Sequence, residues 1–222
     1  ATIIRYCVGL MAKRFIAGES IGSCQKSLRG LLDSNRDATL DQLGELVVSV
    51  KEAQEYEDKV IEIIEGFSQH VIAGSRNKAG INQAHVSIKV SALSNDFRPY
   101  AFEETYRKVA PRLKRILLKA KENQVFLNVD AEHYHYRDIV LAIYSKVLLD
   151  TQILHDYKDT GIVVQAYLRD GHEHFQKVLE LAKKRGHCMP IRLVKGAYWD
   201  VETVEANAHN FDAPEFLNKE ET

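Results

Sequence analysis

The chain has 222 residues, 45% of them hydrophobic, which is enough for one sizeable domain with a packed core. Its 30 basic and 31 acidic residues are interspersed and leave a net charge of −1, so no basic stripe marks a nucleic-acid contact. No run approaches the roughly 18 apolar residues of a membrane span. No long apolar stretch with a small-residue cleavage site opens the chain. Cys7, Cys24 and Cys188 are odd in number and lack CxxC or knuckle spacing, which suits free thiols in a reducing, cytoplasmic setting.

Taken in order, the chain changes character near residue 80. Before it the pattern is helical. Thr39-Leu40-Asp41-Gln42 reads as a capping box, followed at helical spacing by Leu43, Leu46, Val47, Val50, Val60, Ile61, Ile63 and Ile64, with Gly66 as the stop. Residues 68–84 are polar and suit a connection. These observations predict a helical arm over residues 1–80. After it, β-branched runs alternate with amphipathic stretches. The predicted strands are His85–Leu93, Val125–Ala131, Gly161–Tyr167 and Pro190–Ala197. The predicted helices lie at 103–122 (apolar face Tyr106, Val109, Leu113, Ile116, Leu117, Ala120), 137–149 and 172–185, the last closed by Gly186. His172 and His174 open that last helix and read as surface residues.

One crossover helix between each pair of strands implies a parallel sheet. Strand ends that carry Lys89, Asp130, Gln165, Arg192 and Lys195 favour a (β/α)8 TIM-type barrel, whose functional residues ring the C-terminal strand ends. A doubly wound sheet would need a glycine-rich phosphate loop after its first strand, and no GxGxxG occurs. Residues 81–222 hold only about four of the eight β/α units, and roughly 250 residues make a full barrel, so the expectation is its first half, with the C-terminal half absent.

The stretch PIRLVKGAYWD (190–200) breaks the apolar run that a buried parallel strand wants. It places Arg192 and Lys195 in the strand and ends in a glycine that lets backbone approach a ligand. Together with SIKVSAL (87–93), NVDAE (128–132) and VQAY (164–167), in that order and spacing, it resembles the proline dehydrogenase family. LMAKRFIAGESI (10–21) and LDQLGE (40–45) resemble the helical segment before the barrel in the bifunctional proline utilization enzymes. The resemblance runs from about residue 5 to the end.

What the resemblance implies is a distorted (β/α)8 barrel that holds FAD non-covalently and oxidises L-proline to 1-pyrroline-5-carboxylate, with hydride leaving C5 for flavin N5 and electrons passing to a quinone. Position by position, Arg192 corresponds to the arginine near flavin N5, and Gln165 to the glutamine on the pyrimidine edge. Val194, Lys195, Gly196, Ala197 and Trp199 line the cofactor. Lys89 pairs with the proline carboxylate, Asp130 stands beside it, Tyr198 marks the flavin–substrate boundary, and Lys219 and Thr222 contact the cofactor. The resemblance also implies a fused or partner pyrroline-5-carboxylate dehydrogenase domain and a peripheral contact at the inner face of a membrane, where the quinone lies.

Three departures stand out. Leu217 occupies a place where the family usually has threonine, His133 follows Glu132 where it often has a second glutamate, and the family's last motif, a tyrosine and an arginine pair, is not in the chain. The expectation is that residues 1–222 alone do not turn over proline. Two other readings remain open on the residues. Lys89 or Lys195 could serve a Schiff-base barrel, and the helical arm could make the chain a scaffold for a partner. His133 and His135 have the HxH spacing of metal sites, but a solvated loop accounts for them more simply.

Overall fold

A computed structural model describes residues 20–34, 36–42, 47–70 and 74–222, the side chains of 68–70 and 219 excepted, together with residues 4, 8, 9, 11, 12, 16 and 18. In chain order the elements are α1 (Ile21–Asp33), β1 (Thr39–Asp41), α2 (Val50–His70), β2 (His85–Ile88), α3 (Phe102–Glu122), β3 (Phe126–Val129), α4 (Tyr134–Asp150), α5 (Gln152–His155), β4 (Thr160–Gln165), α6 (Gly171–Arg185), β5 (Ile191–Val194) and α7 (Trp199–His209). The five strands are all parallel and pair in sequence order, β1 to β5. Such a singly wound order has no reversal of the kind that defines a doubly wound sheet. It is the order of a TIM-type barrel.

The sheet is curled. In a flat sheet, β1 and β5 would lie four strand spacings apart, roughly 19 Å. Instead the Arg192 guanidinium on β5 donates to Thr39 Oγ1 on β1 at 3.2 Å, so the two outer strands bend towards each other. Strand alternation then divides the side chains. Val86, Ile88, Leu127, Val129, Ile162 and Val164 face outward into the main core against Val109, Leu113, Ile116 and Leu117 of α3, Ile143 and Val147 of α4 and Val178 of α6. The inner face carries Thr39, Asp41, His85, Ser87, Phe126, Asn128, Val163, Gln165 and Arg192. Gly161 is required there, because a Cβ would sit 2.3 Å from the Pro190 carbonyl oxygen and 3.0 Å from the Phe126 ring.

Several expectations need correction. Thr39–Asp41 is not the start of a helix but the first strand, so the sheet has five strands rather than four and begins inside the segment read as a helical arm. The helix starts only at Val50, with Leu43 and Leu46 outside the described residues. Gly66 does not end it. The helix runs on to His70, and Gly66 makes room for Ile21 of α1, whose Cγ2 would lie 2.5 Å from a Cβ at that position. The true capping box is at α1, where Ser20 accepts from the Ser23 N–H and the Ser23 hydroxyl oxygen accepts from the Ser20 N–H. His174 is not a surface residue: it is 2% exposed, with Nδ1 3.7 Å from Asp138. Cys24 and Cys188 are free thiols, and Cys7 lies outside the described residues.

Candidate active site

The charged residues of the inner face converge at the C-terminal strand ends. Lys89, just past β2, is 6% exposed, and its Nζ lies 2.7 Å from Asp130 Oδ2 at the end of β3. A second carboxylate, Asp41 of β1, stands 3.8 Å away. Burial opposes the charge on Lys89, but the hydrogen bond to Asp130 and the charges of Asp130 and Asp41 outweigh it and hold the amine well above its ordinary pKa. Asp130 also faces Arg192, with Oδ1 3.8 Å from Nη1. Lys89, Asp130 and Arg192, widely spaced in sequence, are thus brought into one cluster. Asp41 was missed, because its local sequence looked like a helix cap.

Below this layer, His85 Nδ1 and Thr39 Oγ1 are 3.1 Å apart, and the imidazole stands edge-on to Phe126 with ring centroids 4.3 Å apart. Burial, and then the nearby Arg192 charge, push the His85 pKa down to about 4, so the ring is neutral near pH 7.

Gln165, at the end of β4, is buried. Its amide donates to the Glu132 carbonyl at 3.0 Å and to the Tyr167 hydroxyl at 2.8 Å. The Tyr167 hydroxyl in turn accepts the Tyr198 N–H at 3.2 Å. The Tyr198 ring packs against His133, centroids 4.7 Å apart. Glu202, one turn into α7, caps the α4 N-terminus by accepting the Tyr134 N–H at 2.6 Å, and burial raises its pKa. His133 and His135 stack with centroids 5.7 Å apart. Among the described residues no group of three or more histidine, cysteine or acidic side chains is placed to hold a metal ion.

Beyond β5 the chain turns through Gly196, whose φ of +114° favours glycine. A cavity of about 290 Å³ opens there, lined by Tyr167, Lys195, Gly196, Trp199, Asp200 and Thr222. Four of these, Lys195, Gly196, Trp199 and Thr222, are among the cofactor positions expected from the sequence. The Trp199 indole N–H is held by the Phe216 carbonyl at 2.8 Å. Val194 is half-buried at the end of β5, Ala197 is exposed, and Lys219 opens a short 3-10 turn beside Thr222. Leu217 is exposed. Val194, Ala197 and Leu217 do not line the cavity.

A curled, singly wound parallel sheet with its charged side chains gathered at the C-terminal strand ends defines a (β/α) barrel of the TIM type. The chain belongs to the proline dehydrogenase family, since the family model described as "Proline dehydrogenase" matches residues 24–222. It is 30% identical over 204 residues to the bifunctional protein PutA of Salmonella typhimurium, covering 91% of this chain and 15% of that one. It is 30% identical over 193 residues to proline dehydrogenase 1 of Bacillus subtilis, covering 87% of this chain and 54% of the relative. In structure it is similar to proline utilization A from Bdellovibrio bacteriovorus, inactivated by N-propargylglycine, with a TM-score of 0.90 and 33% identity over 98% of this chain and 23% of that one. The chain therefore spans about half of the Bacillus protein and a much smaller share of the PutA proteins.

Proposed function

We propose that this protein oxidises L-proline to 1-pyrroline-5-carboxylate with non-covalently bound FAD, passing the electrons to a quinone. The observation that carries the reading is the Lys89–Asp130 pair beside Arg192 at the mouth of the barrel, on a chain of the proline dehydrogenase family. The donor set suits the cofactor. Arg192 and Lys195 are cations, Gln165 offers an amide, and the cavity beside Gly196 leaves space against backbone. When bound, FAD supplies the hydride acceptor.

The chain's own residues would bind and orient. Lys89, kept protonated by Asp130 and Asp41, anchors the proline carboxylate. That state also argues against a Schiff-base role, which needs a neutral amine. Arg192 places positive charge where negative charge develops on hydride transfer. Gln165 and the Val194–Trp199 segment fix the cofactor, with Lys219 and Thr222 adding contacts, and Tyr198 borders the substrate. Holding both reactants in register is the protein's main contribution to rate.

No described helix is long and apolar enough to cross a membrane. Delivery to a quinone would use a peripheral contact by a cytoplasmic protein. A fused or partner pyrroline-5-carboxylate dehydrogenase would consume the product, in keeping with relatives named bifunctional. We assign the residues before β1 to an arm and those from β1 onward to barrel, and we expect turnover to need more barrel than these five strands.

The test is the visible flavin spectrum of the natural-length protein, recorded anaerobically before and after L-proline, with residues 1–222 run in parallel. The expected result is bleaching by L-proline and not by other amino acids. A protein that holds no flavin, or whose flavin is not bleached, would overturn the reading.

A further inference from the structure

The Glu132 carboxylate takes no part in the chemistry proposed above, yet it lies two residues beyond Asp130 and its residue bonds to both Ser91 and Gln165. It is 5% exposed. A carboxylate is buried at a cost unless it is hydrogen-bonded, and here both oxygens go to one residue. The Ser91 N–H donates to Oε1 at 3.1 Å, and the Ser91 hydroxyl donates to Oε2. Ser91 opens the 3-10 turn Ser91–Leu93 that follows Lys89, and the Ala92 N–H reaches back to the Lys89 carbonyl at 3.3 Å. At its other end, the Glu132 backbone carbonyl receives the Gln165 amide, which continues through the Tyr167 hydroxyl to the Tyr198 N–H. One hydrogen-bonded chain therefore runs from the turn after β2, through the loop after β3, to the ends of β4 and β5.

We propose that Glu132 is a positioning residue for this chain: its side chain fixes the turn after Lys89, and its carbonyl sets the amide of Gln165. The inference rests on the proposed function for the claim that Gln165 faces the flavin and Lys89 the substrate. A residue serving only to fill space would be replaced without loss by an apolar one of similar size. A positioning residue acts through its partners, and its effect vanishes when the partner is gone.

The experiment is a double-mutant cycle on FAD affinity, read by flavin fluorescence in the natural-length protein. Glu132→Ala should weaken FAD about tenfold. Glu132→Gln should recover most of that, because its amide oxygen still accepts from the Ser91 N–H and its NH2 can donate to the Ser91 hydroxyl. In a Gln165→Ala background the Glu132→Ala loss should shrink to about twofold or less. Full additivity, or a glutamine variant no better than alanine, would overturn the inference. Should Glu132→Ala fail to fold, Ser91→Ala, which removes only the hydroxyl, completes the same cycle. A second readout needs no cofactor. Exchange of the Gln165 side-chain amide protons, followed by NMR in residues 1–222, should be about tenfold faster in Glu132→Ala, and unchanged exchange overturns the inference. Faster exchange in a protein that binds no FAD would leave the coupling standing and sink the proposed function instead.

Discussion

Glu57 on α2 is fully buried between Arg112 and Arg115 of α3, at 2.7 and 2.8 Å. Lys89 is buried between Asp130 and Asp41, at 2.7 and 3.8 Å, with Arg192 a further 3.8 Å from Asp130. Both are charges taken out of water, but they are assembled differently. The two arginines lie three residues apart on one helix face, so the outer cluster joins two neighbouring helices and ends there. The inner cluster draws single residues from β1, β2, β3 and β5 and sits where the strands end. For stability alone, well-packed apolar residues often serve as well as a buried ion pair. The outer pair accordingly reads as a clamp, and the inner one as a charge pattern kept for a ligand.

The largest expected effect comes from Lys89→Met, which keeps the stem and removes the charge. Removing one partner of a buried pair is worth roughly 3–5 kcal/mol, which corresponds to about a hundredfold to several thousandfold in rate if it falls on the transition state. Proline-dependent flavin bleaching should slow by that much in stopped flow, while the flavin stays bound. A normal rate would show that the cluster does not face the substrate.

Glu57→Ala should behave in the opposite way. It strands two arginines at the α2–α3 junction, and the expected loss of stability is about 3 kcal/mol, seen as a lower urea midpoint. FAD affinity and the bleaching rate below the transition should not change. A variant that folds as well as the parent but loses flavin would erase the distinction between clamp and site.

How much of this could be read in the sequence depended on how local the signal was. The apolar stripe of α3 and the runs of β2 to β5 are visible because their burial follows a fixed period. Lys89, Asp130, Gln165 and Arg192 stood out as polar residues closing apolar runs. Thr39 misled for a physical reason: a Thr-x-x-Gln spacing favours a helix cap, but the hydroxyl is engaged by His85 and Arg192, 46 and 153 residues away. A three-residue strand has too little length to show alternation, and Asp41 went unnoticed with it. Gly66 marks where Ile21 of another helix crosses, which no neighbouring residue announces. Glu132 lay inside a recognised motif, yet its importance appears only once Ser91 and Gln165 are placed around it.

The smallest effect concerns the balance of charge inside the arc. His85 starts β2, two inward-facing positions before Lys89, and is close to Arg192, with Asp37 the acidic group that partly offsets that charge. A protonated His85 would add a cation next to Arg192 in a buried place, so burial and that charge lower its pKa to about 4 from an ordinary 6.5. Between those values the unfolded chain binds a proton that the folded one refuses, so stability should fall as the pH drops from about 6.5 towards 4, and His85 should contribute nothing above that window. At about 1.4 kcal/mol per pH unit the gap amounts to roughly 3 kcal/mol at most. Acidic groups such as Asp138, whose pKa is lowered by His174 beside it and by Arg137, steepen the same acid limb at lower pH. His85→Gln separates the two contributions, since it keeps a polar partner for Thr39 without titrating. Urea denaturation at several pH values should show a shallower slope for the variant between pH 6.5 and 4, and the same slope as the parent would mean that the inner face tolerates the extra charge.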